Sequence, residues 1–142
     1  MVATAQAASA KSSAEKLGFA AGQIVQEFGY DEDVAEDLRL GIEDVIGSEL
    51  EDEDYDGVAD AVVLWWRDGD GDLIDDVVDA LTGLVEGGFV VLLTPKVGRD
   101  NHVDASDIEE AALTAGLHAS GSVGAGADWN GTRLVAPKTS RR

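Results

Sequence analysis

The chain has 142 residues, 44% of them hydrophobic, which suffices for one domain with a buried core and is too apolar for a disordered acidic segment. Its 29 acidic and 10 basic residues give a formal net charge of −19, which excludes nucleic acid and anionic membrane surfaces as partners, because both need clustered Lys and Arg. Without cysteine there is no disulfide, no thiolate metal site and no cysteine nucleophile.

The charge is concentrated. Twenty-one of the acids fall between Glu27 and Asp79, where only Arg39 and Arg67 oppose them, so this window alone carries −19. The other eight acids and eight bases cancel. A field of this sign attracts a basic protein surface or divalent cations.

Residues 1–15 are small and polar, with neither a basic start nor a continuous apolar stretch, and so do not read as a secretory signal. The longest apolar run, Ala61 to Trp66, is far short of the ~20 residues a membrane helix needs. The expected compartment is the cytoplasm. Residues 1–11 are expected to be a disordered lead-in, 12–138 a single α/β domain and 139–142 a basic tail.

Along the domain, Gln23 to Phe28 reads as a strand, although Ile24, Val25 and Phe28 would also suit a helix. Asp33-Val-Ala-Glu36 has the form of a capping box, opening a helix with Val34, Leu38, Ile42 and Val45 on one stripe and a stop at Gly47. Asp60 to Trp66 and Phe89 to Thr94 are apolar on both faces, as central strands covered by helices are. Between them Asp72 opens a helix with Ile74, Val77, Val78, Leu81, Leu84 and Val85 inward and Gly87-Gly88 as the stop. Ser106-Asp-Ile-Glu109 opens a shorter helix ending near Gly116. Asn130-Gly131, within Asp128–Thr132, is expected to make a type I′ turn joining a strand near His118–Val123 to Thr132–Val135. This order predicts a mostly parallel α/β sheet with helices on both faces and a C-terminal antiparallel hairpin.

Asp68-Gly-Asp-Gly-Asp72 has the alternating oxygens of a calcium loop, but the following positions carry Leu73, Asp75 and Asp79 where that loop needs glycine, an aliphatic residue and glutamate. A polar strand-to-helix turn capped by Asp72 fits better. The loop after the first strand, Phe28-Gly-Tyr-Asp-Glu-Asp33, keeps one glycine and sets three acids where a phosphate would approach a helix N-terminus. Gly121-Ser-Val-Gly-Ala-Gly126 lacks the lysine of a phosphate-binding loop and reads as a flexible turn. His102, Asp104 and His118 lack metal-ligand spacing, and no Gly-x-Ser-x-Gly nucleophile is present. No metal site, cofactor or catalytic residue is expected.

Adjacent residues of a strand face opposite ways, so Trp65 and Trp66 must enter different layers. Trp129 beside Arg133 reads either as a packing pair or as an exposed handle. Glu51-Asp-Glu-Asp-Tyr-Asp56 is either a solvated loop or a docking surface made of Glu51, Asp52, Glu53, Asp54 and Asp56 with Tyr55 as anchor.

Lys16-Leu-Gly-Phe19, Ser48-Glu-Leu50, Asp52-Glu-Asp-Tyr-Asp56, Leu64-Trp-Trp-Arg-Asp68, Leu92-Leu-Thr-Pro-Lys96 with Gly98-Arg99, Thr114-Ala-Gly-Leu117 and Asp128-Trp-Asn-Gly-Thr-Arg-Leu-Val135 span most of the chain. On these segments the chain resembles the actinobacterial branch of the domain-of-unknown-function family 3052. The resemblance implies a shortened relative of the Rossmann-like methyltransferase fold ending in a tryptophan-bearing hairpin. It carries over no catalytic residue, because the glycine-rich cofactor loop is absent here.

Two functions compete. The first is a non-catalytic interaction or regulatory protein whose acidic surface docks on a basic partner protein. The second is a small-molecule binder or residual enzyme holding an anionic ligand at the sheet's C-terminal edge with Trp66, Arg67, Thr94, Lys96 and Arg99. A weaker third is a nucleic-acid mimic, which needs acids spaced like phosphates along one face. The acidic bias favours the first.

Overall fold

A computed structural model describes residues 5–126 and 128–136 of the protein. The elements run α1 (Ala5–Leu17), β1 (Val25–Phe28), α2 (Glu36–Ile46), β2 (Ala59–Trp65), α3 (Leu73–Ala80), β3 (Leu84–Pro95), α4 (Ala105–Thr114), β4 (His118–Ala125) and β5 (Trp129–Val135). They form one five-stranded sheet in the order β1-β2-β3-β5-β4. The first three strands are parallel, and β5 runs antiparallel to both β3 and β4.

Period-two alternation decides which layer each side chain joins. Ala61, Val63 and Trp65 of β2, with Phe89, Val91 and Leu93 of β3, pack under α1 and α2. Val62, Leu64 and Trp66, with Val90 and Leu92, pack under α3 and α4. The two tryptophans therefore enter opposite layers, as their adjacency requires.

The route from β1 to β2 is less direct than the order of elements implies. Helices α2 and α3 lie on opposite faces, so two direct crossovers advancing the same way across the sheet would have opposite hands. The chain avoids this. After α2 it first returns to the outer side of β1, where Glu51 bridges Gln26 in parallel, its N–H donating to Val25 O and its carbonyl accepting from Glu27 N. Only then do residues 52–58 lead across to β2. From β1 the chain thus departs toward one side, while its other neighbour continues toward β3. That divergence is a switch point, and its crevice lies beyond the C-terminal ends of β1 and β2.

Several expectations are corrected. The expected lead-in is helical from Ala5, because Ala14 and Leu17 bury the C-terminal half of α1 and α1 lies across α2. Residues 1–4 and the expected tail at 139–142 lie outside the described residues. Helix α2 starts at Glu36 with Ala35 as N-cap and no side-chain cap, because the Asp33 carboxylate is taken by Arg67. Helix α3 does open at Asp72, whose carboxylate accepts from the Ile74 and Asp75 N–H groups, but it ends at Ala80. Leu84 pairs with Ala59, and Gly87 and Gly88 sit in an irregular stretch of β3 before Phe89 takes up pairing with Ala61. Helix α4 is entered at Asp104 rather than Ser106, again without a side-chain cap, since Asp104 faces His102. The glycine-rich segment at 121–126 is strand through Ala125 rather than turn.

Asn130-Gly131 is not a turn either. Both residues lie inside β5, opposite Thr94 and Leu93, and the reversal falls just after Ala125. Glycine gives close packing there: a Cβ would lie 3.2 Å from Leu93 Cδ2 and 3.5 Å from the Leu17 methyl groups. Close approach to α1, and not turn geometry, explains this glycine.

A second glycine marks the contact between helices. A Cβ on Gly41 of α2 would lie 2.9 Å from the Ala10 backbone of α1. In an exposed helix Gly→Ala stabilises by roughly 1 kcal/mol. Here Gly41→Ala should instead destabilise by about 1–2 kcal/mol, because backbone cannot yield as a flexible side chain does. Urea denaturation of the two proteins measures the sign directly.

Candidate functional site

Among the described residues, the densest polar construction stands at the C-terminal ends of β1 and β2. Glu27 points from β1 into the layer beneath α2 and is only 5% exposed. Its Oε2 accepts from Arg39 Nε at 2.6 Å and Trp65 Nε1 at 2.8 Å, and its Oε1 accepts from Arg39 Nη2 at 2.9 Å. A buried carboxylate is tolerable only when paired and hydrogen-bonded in this way. The Glu27 and Glu36 carboxylates hold the Arg39 guanidinium above its ordinary value, Glu27 most strongly. Three elements are thereby joined through one side chain.

Trp65 extends the construction across the sheet. Its ring meets Trp129 of β5 edge to face at 5.0 Å, and Trp129 Nε1 donates to Asp33 O at 2.9 Å. Arg67, just beyond β2, lies over the Trp129 ring at 5.2 Å. Its guanidinium binds Asp33 through two nitrogens at 2.5 and 3.0 Å and reaches Gly29 O and Asp70. Arg67 holds the Asp33 carboxyl below its usual range, and Asp33 raises Arg67 in return. Gly29 itself has positive φ, and a Cβ there would collide with the Trp65 carbonyl oxygen. The loop after β1 is clamped onto the end of β2.

Beside this clamp opens a crevice of about 460 Å³ lined by the carboxylates of Asp31, Glu53, Asp70, Asp76 and Asp79. Phe28, Tyr30 and Trp66 supply aromatic surface, and Arg67 is the one base in the lining. Trp66 Nε1 donates to Asp76 at 2.8 Å. Burial pushes the Asp76 carboxyl above its usual value, and repulsion from Asp79, Asp70 and Asp75 adds to it, against the indole bond. Among the described residues no three acidic or histidine side chains converge to hold a metal ion. The crevice instead offers an aromatic-floored space of negative potential, suited to an organic cation.

The residues expected from sequence do not form one site. Trp66 and Arg67 line this crevice, whereas Thr94 and Lys96 line a separate cleft on the α4 face. Lys96 Nζ donates to Gly126 O at 2.9 Å, and Arg99 is paired with Asp128 at 2.8 Å. The expected five-residue anion site is therefore divided, with its three bases already engaged. Of the acidic run, Glu53 reaches the crevice, where it accepts the Gly29 N–H. Glu51 is held in the bridge to β1, while Asp52, Asp54 and Asp56 are exposed. Tyr55 is folded back against Gly57 with its hydroxyl donating to Val58 O, so it offers no free anchor. Tyr30, 53% exposed and stacked with Arg39, is the available aromatic.

Sequence reasoning missed the pair Glu27 and Arg39. A signal existed: the acidic window holds two bases, and each proves to be the hub of a carboxylate network.

This sheet defines a Rossmann-like fold of methyltransferase type. Magnesium protoporphyrin IX methyltransferase from Synechocystis, with bound SAH, superposes with a TM-score of 0.60 at 12% identity, over 92% of this chain and 83% of that one. A SAM-dependent methyltransferase from Aquifex aeolicus gives 0.58 at 10% identity, over 89% of each chain. At such identities the likeness is one of fold. In sequence, an uncharacterized protein of Mycobacterium tuberculosis is 51% identical over 126 residues, covering 89% of this chain and 79% of the relative. The chain belongs to the family described as protein of unknown function (DUF3052), whose model matches residues 14–138. Among the described residues no helix is long and apolar enough to cross a membrane.

Glu27→Gln keeps an acceptor for the Trp65 indole but removes the charge facing Arg39. It should cost about 3 kcal/mol in urea denaturation, the low end for an unpaired buried ion, since Arg39 keeps Glu36 and some solvent. Asp76 gives a prediction in pH. Its folded-state value is raised, so ionised Asp76 opposes folding at neutral pH, and stability is recovered as pH falls through that raised value. Asp76→Asn, which can still accept the Trp66 N–H, should raise Tm at pH 7 by a few degrees. The gain should shrink as pH falls into the carboxylate range, as thermal melts from pH 7 to about 3.9 would show.

Proposed function

We propose that the protein is a non-catalytic docking module of the cytoplasm, whose acidic crevice at the ends of β1 and β2 receives a basic side chain of a partner protein. The observation that carries this reading is the lining itself: five carboxylates face one base, and that base is already held by Asp33, Asp70 and Gly29. An inserted Lys or Arg head would offset the mutual repulsion of Asp70, Asp75, Asp76 and Asp79, which adds to the effect of burial on Asp76, and would lie against the Tyr30 and Trp66 rings. The exposed carboxylates of Asp52, Asp54 and Asp56 extend the same field beyond the crevice and would steer a basic surface toward it.

The test is capture on immobilised protein from a bacterial lysate at low salt, beside a variant carrying Asp31→Asn and Asp79→Asn. These two carboxylates line the crevice but take no part in the Arg67 clamp. The reading expects a basic protein that the wild type retains, that about 0.5 M salt releases, and that the variant fails to hold. Equal retention by both proteins, or retention that ignores salt, would contradict it.

A further inference from the structure

On the other layer of the fold, a cleft of about 610 Å³ opens between α4 and the β3–β5–β4 part of the sheet. This is within the ~300–1,000 Å³ typical of small-molecule sites. Its floor is polar in a place where the sheet is otherwise apolar. Thr94 of β3 stands opposite Asn130 of β5, Thr132 follows two residues along the same face, and Ser122 of β4 stands opposite Thr132. Adjacent strands lie about 4.8 Å apart, so these groups form a row of closely spaced donors and acceptors.

As whole residues Thr94 is 2% exposed and Thr132 8%; neither hydroxyl has a hydrogen-bond partner among the described residues, and neither is an enclosed unpaired atom, so both open onto the cleft they line. The Asn130 amide has none either. Hydroxyls that open onto a cleft are free to bind an occupant, and a fold that needed only packing here would be served by valine. Val97, Val103 and Ile108 give the cleft apolar walls, and its charged residues are one of each sign, Lys96 and Glu109. Lys96 turns its ammonium to Gly126 O. With a net charge of −19 on the chain, an anionic occupant is repelled at long range.

We propose that this cleft binds an uncharged nucleobase or nucleoside. A planar ring presents apolar faces to the walls. Its edge carries donors and acceptors side by side, which the Asn130 amide matches with a carbonyl and an NH₂ group in one plane. The Thr94 and Thr132 hydroxyls, able to donate or accept, complete the edge. The site is separate from the acidic crevice and does not depend on the docking reading.

The test uses adenosine, guanosine, cytidine and uridine, with their monophosphates, against the wild type, Thr94→Val and Thr132→Val. Calorimetric titration and thermal melts read the binding. One or more nucleosides should bind the wild type and raise its Tm, while the matching monophosphate binds more weakly. Each valine variant should melt at or above the wild-type temperature without ligand and bind the nucleoside about tenfold more weakly, as loss of one hydrogen bond implies. Absence of binding by all four nucleosides would overturn the proposal, and so would tighter binding of a monophosphate. A fall of several degrees in the ligand-free Tm of both variants would overturn it as well, by showing that the hydroxyls serve the fold.

Discussion

The carboxylate of Glu27 is the point on which the upper edge of the sheet depends. It sits in a layer otherwise filled by Val25, Val63, Trp65 and Ile42, where an ionised group survives only with its oxygens occupied. Arg39 brings α2 to it and the Trp65 indole brings β2, so strand, helix and neighbouring strand share one polar anchor. Trp65 then positions Trp129, and Trp129 reaches the loop after β1 through Asp33 O. Removing the charge at Glu27 would loosen a chain of contacts that ends at the crevice.

That chain shapes the switch point of the fold. In open α/β sheets this is where ligands enter, at the carboxyl ends of diverging strands. Here the Arg67 guanidinium bridges the Gly29 carbonyl, Asp33 and Asp70, and it draws the loop after β1 against β2. What stays open beside it is lined by carboxylates. The acidic excess of the window from Glu27 to Asp79 is thus partly organised: two arginines satisfy the buried and clamping acids, Glu43, Asp60 and Asp72 accept backbone N–H groups, Asp44 pairs with Lys11, and others line the crevice. The proposed docking of a basic group rests on that division. The proposed nucleoside cleft uses the opposite layer, where the floor is neutral.

Much of the fold was legible because it follows from period and composition. The apolar runs at 60–66 and 89–94 gave two central strands, and Asp72 gave a helix start that its side chain does cap. Failures arose where tertiary contact overrode a local signal. Asp33 has the sequence of a cap but spends its carboxylate on Arg67, thirty-four residues away. Asn130-Gly131 has the sequence of a turn, but both residues pair within β5, and Gly131 packs closely against Leu93 and Leu17. The expected anion site failed for a related reason. Trp66, Arg67, Thr94 and Lys96 all stand near the ends of central strands, yet successive side chains alternate between layers and the bases found oxygen partners nearby. The acidic run was visible in sequence, but that Glu53 alone turns to the crevice was not. Nor was the neutral floor of Thr94, Asn130, Thr132 and Ser122, which is assembled from three different strands.

All three indole N–H groups have distinct acceptors: Glu27 for Trp65, Asp76 for Trp66 and the Asp33 carbonyl for Trp129. Hydrogen exchange of these groups by NMR tests the anchor most directly, since each indole gives its own resonance. If the buried Glu27 holds the edge together, the Trp65 N–H should exchange only through global unfolding and be the slowest of the three, with the half-buried Trp66–Asp76 pair faster. Exchange of Trp65 as fast as that of Trp66 would contradict the account, because the bond at Glu27 would then open without the fold.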